Sequence, residues 1–134
     1  MEGDRLVTDT EKITINMSVV DLGQVDLLVE QGFYSNRSDL IRTAIRNQLD
    51  RHADVLKETV VRKQIVVGVL VCTRSDLEKK QAAGEQLAIN VVGMVRIGKD
   101  VTPELARDVI QSLHVYGVLR ASPEVKDALA DRTR

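Results

Sequence analysis

The stretch Lys12-Ile13-Thr14-Ile15-Asn16-Met17-Ser18 decides how the chain is read. Side chains of an extended segment point alternately to its two faces, so Ile13, Ile15 and Met17 share one face and Lys12, Thr14 and Asn16 the other. A lone strand neither buries its apolar face nor satisfies its own backbone groups. The pattern that follows supplies no partner nearby, because it reads as a capped helix, a turn and a second capped helix. The partner of a strand from Glu11 to Met17 is therefore expected to be the same strand of a second chain, which makes the expected assembly an intertwined homodimer.

Working outward, residues 1–10 are polar, acidic and without period, as in a flexible arm. Ser18 suits a helix N-cap, with Asp21 three residues on in the manner of a capping box. Leu22, Val25, Leu28 and Val29 then recur at helical spacing, which predicts a helix from Val19 to about Gln31 closed by Gly32. Phe33, Tyr34 and Ser35 make the turn. Asn36 reads as the next N-cap with Asp39 in the reciprocal position, and Leu40, Ile41, Ala44, Ile45 and Leu49 form one apolar stripe. Arg42, Arg46 and Asp50 make its solvated face. Helical pattern continues through Val55, Leu56 and Val60, so residues 53–63 are expected to be a helical linker.

Strand, capped helix, the turn Gly32-Phe33-Tyr34-Ser35-Asn36-Arg37-Ser38-Asp39 and a second helix with Leu40-Ile41-Arg42 and Ala44-Ile45-Arg46 come in an order and at lengths that resemble the ribbon-helix-helix (CopG/Arc/MetJ-type) DNA-binding proteins. The resemblance covers residues 11–52. It implies an intertwined dimer whose paired strands enter the major groove of double-stranded DNA, with Ile13, Ile15, Met17, Leu40, Ile41 and Ile45 in the dimer core. It puts Lys12, Thr14 and Asn16 on the groove-facing side. Their chemistry agrees, since Lys reaches guanine O6 and N7, Asn pairs with adenine N6 and N7, and Thr bonds either way or touches a thymine methyl. An ordinary solvated strand face would have the same composition. The resemblance also implies that the start of the second helix, Asn36, Arg37 and Ser38, clamps a DNA phosphate, where free backbone amides and the helix dipole favour an anion. A capped helix start with no further role needs the same residues.

Charge weighs against a strongly basic DNA binder. The chain of 134 residues carries a formal net charge of -1. Residues 1–52 hold six Lys or Arg against nine Asp or Glu. Any DNA binding must come from a local surface and be sensitive to salt. Aromatic residues amount to Phe33, Tyr34 and Tyr116, so cores must be built from aliphatic side chains, and stacking platforms for single strands are disfavoured. The single Cys72 excludes an internal disulfide and reads as a small apolar residue at a strand end, and with only His52 and His114 beside it no metal constellation forms. No cofactor and no metal are expected. Neither a signal peptide nor an apolar run long enough for a membrane span is present, so a cytoplasmic, non-membrane protein is expected.

The second half repeats itself. Ile65 to Val71, Ile89 to Ile97 and Leu113 to Ala121 are similar β-like runs with glycines at 68, 93 and 117. Each is followed by a hydroxyl residue and a short amphipathic segment: Ser75-Asp76-Leu77-Glu78, Thr102-Pro103-Glu104-Leu105 and Ser122-Pro123-Glu124-Val125. The fold class expected is thus α+β, a ribbon-helix-helix part followed over residues 64–130 by a three-repeat β/α domain with a short parallel sheet. An ordinary βαβαβ sandwich is the competing reading. Leu77, Leu105, Val109, Ile110, Val125 and Leu129 are the expected helix contributions to its core, and the three glycines are expected to mark equivalent bends or close approaches. Arg96 and Arg120 fall at equivalent places. His114 reads as structural, and Gly93 with Gly98-Lys99 is not read as a phosphate-binding loop.

No catalytic constellation stands out, so the chain is not expected to be an enzyme. The reading that results is a sequence-specific transcriptional repressor whose C-terminal domain oligomerises or docks a protein partner. An antitoxin-like autorepressor ranks lower because residues 64–129 look self-folding. A scaffolding protein that assembles through its repeats is a third reading, compatible with the acidic balance of residues 1–52.

Overall fold

The computed structural model describes residues 10–134, so of the expected N-terminal arm all but Thr10 lies outside the described residues. The chain divides into two compact units, a first of Lys12–Thr59 and a second of Val60–Arg134, with which Thr10 and Glu11 group.

In the first unit, Lys12 to Met17 carries no helix and no strand ladder in the single chain. Helix α1 spans Val19–Glu30 and α2 spans Arg37–Arg51. The Ser18 hydroxyl accepts from the Asp21 amide at 3.1 Å, which fixes where α1 begins. At its other end the Gly32 amide donates to Val29 O and the Phe33 amide to Leu28 O, with Gly32 at φ 86°. That pair of bonds is a Schellman closure, which needs a left-handed residue where glycine stands. The expected linker helix is present as α3, Ala53–Arg62, separated from α2 by a break at His52 and running across the boundary between the units.

The second unit is a three-stranded parallel sheet of β1 (Val66–Cys72), β2 (Leu87–Ile97) and β3 (Ile110–Arg120) in sequential order. Helices α4 (Arg74–Ala82), α5 (Pro103–Val109) and α6 (Pro123–Ala128) follow the strands in turn, and a short 3-10 turn, Ala130–Arg132, closes the chain. The repeat is structural as well as textual, because Gly68, Gly93 and Gly117 lie in one register across the sheet. All three adopt positive φ, between 133° and 137°. A Cβ on Gly93 would stand 2.0 Å from Gly68 O, and one on Gly117 2.1 Å from Gly93 O. Each strand thus lies against its predecessor where only a hydrogen fits.

Helices and strands share one core. Val91, Val95 and Ile97 of β2 meet Leu77 of α4, Leu105, Ala106 and Val109 of α5, and Val125 and Leu129 around α6. Ile110, expected on a helix, is instead the first residue of β3 and fully buried, since α5 passes into the strand with no intervening loop. Two of the three expected hydroxyl caps stand: Thr102 and Ser122 each accept from an amide three residues on, at 3.2 Å. For α4 the cap is Thr73 rather than Ser75. Thr73 accepts from the Asp76 amide at 3.1 Å and the Asp76 carboxylate accepts back from the Thr73 amide at 3.4 Å. This reciprocal box satisfies two otherwise unpaired donors, and it leaves Ser75 inside the helix. Cys72 is buried as expected, and burial pushes its thiol up to about 11. His114 stacks on Tyr116 with ring centroids 4.4 Å apart. No helix among the described residues is long and apolar enough to cross a membrane.

Candidate nucleic-acid interface

The surface around Lys12 is defined by what it leaves uncovered. Lys12, Thr14 and Asn16 are exposed, which a base-reading role requires. The alternate residues are exposed too: Ile13 is 72% exposed, Ile15 59% and Met17 36%. Leu40 and Ile41 on α2 are half-buried, Ile45 is 48% exposed, and among Lys12–Thr59 no side chain reaches full burial. The six expected dimer-core residues thus form no core within one chain. An apolar set of that size stays in water only at a free-energy cost of about 25 cal/mol per Å².

The start of α2 is built by two local bonds. Asn36 Oδ1 accepts from the Asp39 amide at 2.8 Å, which makes Asn36 the N-cap as read from the sequence. Asp39 does not reciprocate onto Asn36; its Oδ2 accepts from the Ser35 amide at 2.9 Å, one residue earlier. Asn36 sits at φ -165°, fully extended, so the turn enters the helix abruptly and the carboxylate reaches back to Ser35. Ser38 is exposed in the first turn.

Arg37 is placed differently from a freely extended phosphate contact. Its Nε donates to Asp26 Oδ1 at 2.7 Å and its Nη2 to Asp26 Oδ2 at 2.8 Å, a forked pair between α1 and α2. The hydrogen bond from Arg37 holds the Asp26 carboxyl below the usual carboxylate range, and Asp26 in turn raises Arg37. Sequence reasoning missed Asp26, which lies 11 positions away with no shared period. The available signal was electrostatic: an arginine at the first position of a helix faces the positive end of its dipole and calls for an acid nearby.

No group of three or more His, Cys, Asp or Glu among the described residues could hold a metal ion. The unit offers hydrogen bonding and charge on an exposed extended segment and at a capped helix start.

A family model described as the ribbon-helix-helix transcriptional regulator family matches residues 8–126. The chain belongs to that family. The match runs well past residues 11–52, where the resemblance was read, and takes in most of the second unit. Among curated proteins the ribbon-helix-helix chain is similar to the transcriptional regulator CdrS of Halobacterium salinarum, 36% identical over 44 residues that make up 33% of this chain and 80% of that protein. That share leaves the relative no room for both units. No solved structure matches the chain significantly.

Proposed function

We propose that the protein is a homodimeric, sequence-specific DNA-binding repressor. The observation that carries this is the segment Lys12–Met17, polar on one side and apolar on the other, unpaired in the single chain and followed by two helices that bury nothing completely. A second copy related by a twofold axis supplies the missing strand, and Ile13, Ile15 and Met17 then face Leu40, Ile41 and Ile45 of both chains. The paired polar faces carry two copies of Lys12, Thr14 and Asn16 into the major groove as base contacts. Asn36, Ser38 and the amides at the start of α2 hold a phosphate on each side. Arg37 acts first through Asp26, fixing the angle of α2, and adds its charge to the phosphate from there. Membership in a transcriptional regulator family supports the reading. Six cations against nine acids in residues 1–52 make affinity depend on local geometry and on low salt. The second unit joins dimers or docks a protein partner, which raises affinity by bringing several ribbons to one DNA.

The test is binding of the full chain to DNA from upstream of its own gene, with competitor DNA present. Replacing Lys12, Thr14 and Asn16 together by Ala is expected to weaken specific binding by roughly 100-fold or more, at about 1–3 kcal/mol per lost base contact. The dimer should persist, and transcription from the bound promoter should rise. Undiminished affinity in the triple variant would sink the ribbon mechanism.

A further inference from the structure

Asp26 on α1 and Arg37 at the first position of α2 meet in a fork, Nε to Oδ1 at 2.7 Å and Nη2 to Oδ2 at 2.8 Å. We propose that Asp26 is a positioning and specificity-setting residue for DNA. It aims the remaining edge of Arg37 at the phosphate of a correctly docked site and cancels the attraction of that arginine for phosphates elsewhere. This rests on the ribbon docking proposed above and adds a residue that the docking itself does not require.

The fork supplies the aim. A guanidinium holds five N–H donors in one plane. Nε and one N–H of Nη2 are spent on Asp26, which leaves the edge formed by Nη1 and the second N–H of Nη2. Two parallel bonds fix the plane of the group, and the remaining edge is itself a fork that matches a phosphate. The pair lies at the surface, with the Arg37 side chain 54% and that of Asp26 48% exposed, so an anion can reach it.

Charge supplies the discrimination. Without Asp26, Arg37 would add a full positive charge beside the positive end of the α2 dipole and attract any phosphate. With the carboxylate in the fork the pair is neutral as a whole, and an anion gains from it only on the side where the guanidinium is nearer than the carboxylate. A docked operator places a phosphate on that side, whereas a loosely registered duplex does not. An acid at a phosphate-binding helix start lowers affinity, and a gain in selectivity is what such a loss can bring. The other acid of this turn, Asp39, is engaged elsewhere, accepting from the Ser35 amide at 2.9 Å. The hydrogen bond from Arg37 also holds the Asp26 carboxyl below its usual range, so the pair stays ionised at neutral pH.

The experiment measures binding of the full chain to DNA from upstream of its own gene and to unrelated DNA of equal length, each over a salt series. Asp26→Asn keeps the size of the side chain and removes its charge. It is expected to raise affinity for unrelated DNA about fivefold and to steepen the salt dependence there by about 0.9 for each arginine released. Specific affinity should stay within about twofold, so the ratio of specific to non-specific binding falls several-fold. Asp26→Glu, which keeps the charge, is expected to keep the parent salt slope, and Asp26→Asn in an Arg37→Ala background is expected to leave the ratio unchanged. An unaltered ratio and slope in the single variant would overturn the inference. So would an equal fall of the ratio in the Arg37→Ala background, which would make Asp26 a plain repulsive charge, or a loss of affinity for both DNAs, which would make the pair a helix brace only. A parent chain with no preference for its own upstream DNA would overturn the ribbon reading and this inference together; a parent preference that Asp26→Asn leaves intact overturns this inference alone.

Discussion

Gly93 and Gly117 show most sharply what a single side chain costs in this protein. Each combines a left-handed φ with a carbonyl oxygen of the neighbouring strand about 2 Å from where a Cβ would be. Gly68 has the same φ, but among the described residues nothing lies within 4 Å of its missing Cβ and no strand pairs with the outer edge of β1. Gly68→Ala is therefore expected to cost about 1–2 kcal/mol from backbone strain alone, whereas Gly93→Ala and Gly117→Ala cost roughly 3 kcal/mol or more because β2 or β3 must also move. Urea denaturation of the three variants checks the order, and equal losses would contradict it. The equivalence of the three glycines was legible in the sequence as a recurring period. Their inequality was not, since it follows from which strand is at the edge, and that is a property of the sheet order rather than of the letters.

Among the elements, caps were the most legible feature and also the place where reading failed. Ser18, Asn36, Thr102 and Ser122 were recognised because a hydroxyl or amide side chain stands directly before an apolar period, twice with Pro at the first helical position. α4 has no such proline, and the low-contrast sequence Thr-Arg-Ser-Asp-Leu at its start offers two hydroxyls, Thr73 and Ser75, either of which could begin the helix. The reciprocal bond from Asp76 settles the start at Thr73. Thr73→Ala is expected to destabilise the second unit by about 1 kcal/mol. Ser75→Ala should stay within about 0.5 kcal/mol of the parent, as expected of an exposed helical position. Denaturant midpoints decide between them, and the reverse order would show that the box contributes nothing. The candidate interface was less legible. Lys12, Thr14 and Asn16 follow from alternation alone, but the pairing of Arg37 with Asp26 depends on how α1 and α2 cross, which no spacing along the chain encodes.

At the scale of the whole molecule, the two units are held together by different means. Every fully buried hydrophobic side chain among the described residues lies between Ile65 and Leu129, so the second unit owns a core and the first does not. Composition could not show this division, because apolar residues are spread over both halves; only their burial separates a core from an uncovered face. A unit whose apolar residues are covered by another copy gains stability with concentration, while a unit with its own core does not. Thermal unfolding of the full chain is therefore expected to show two transitions. The one belonging to Lys12–Thr59 should move to lower temperature on dilution, each tenfold fall in dissociation-limited concentration being worth about 1.4 kcal/mol. The one belonging to residues 60–134 should persist on dilution and move less, because its core is complete within one chain whatever assembly it joins. Ile15→Asp, which places a carboxylate on the apolar side of the ribbon, is expected to abolish the first transition and spare the second. If instead both transitions hold their temperatures over a hundredfold dilution, the first unit is completed from within the same chain and the homodimer is excluded.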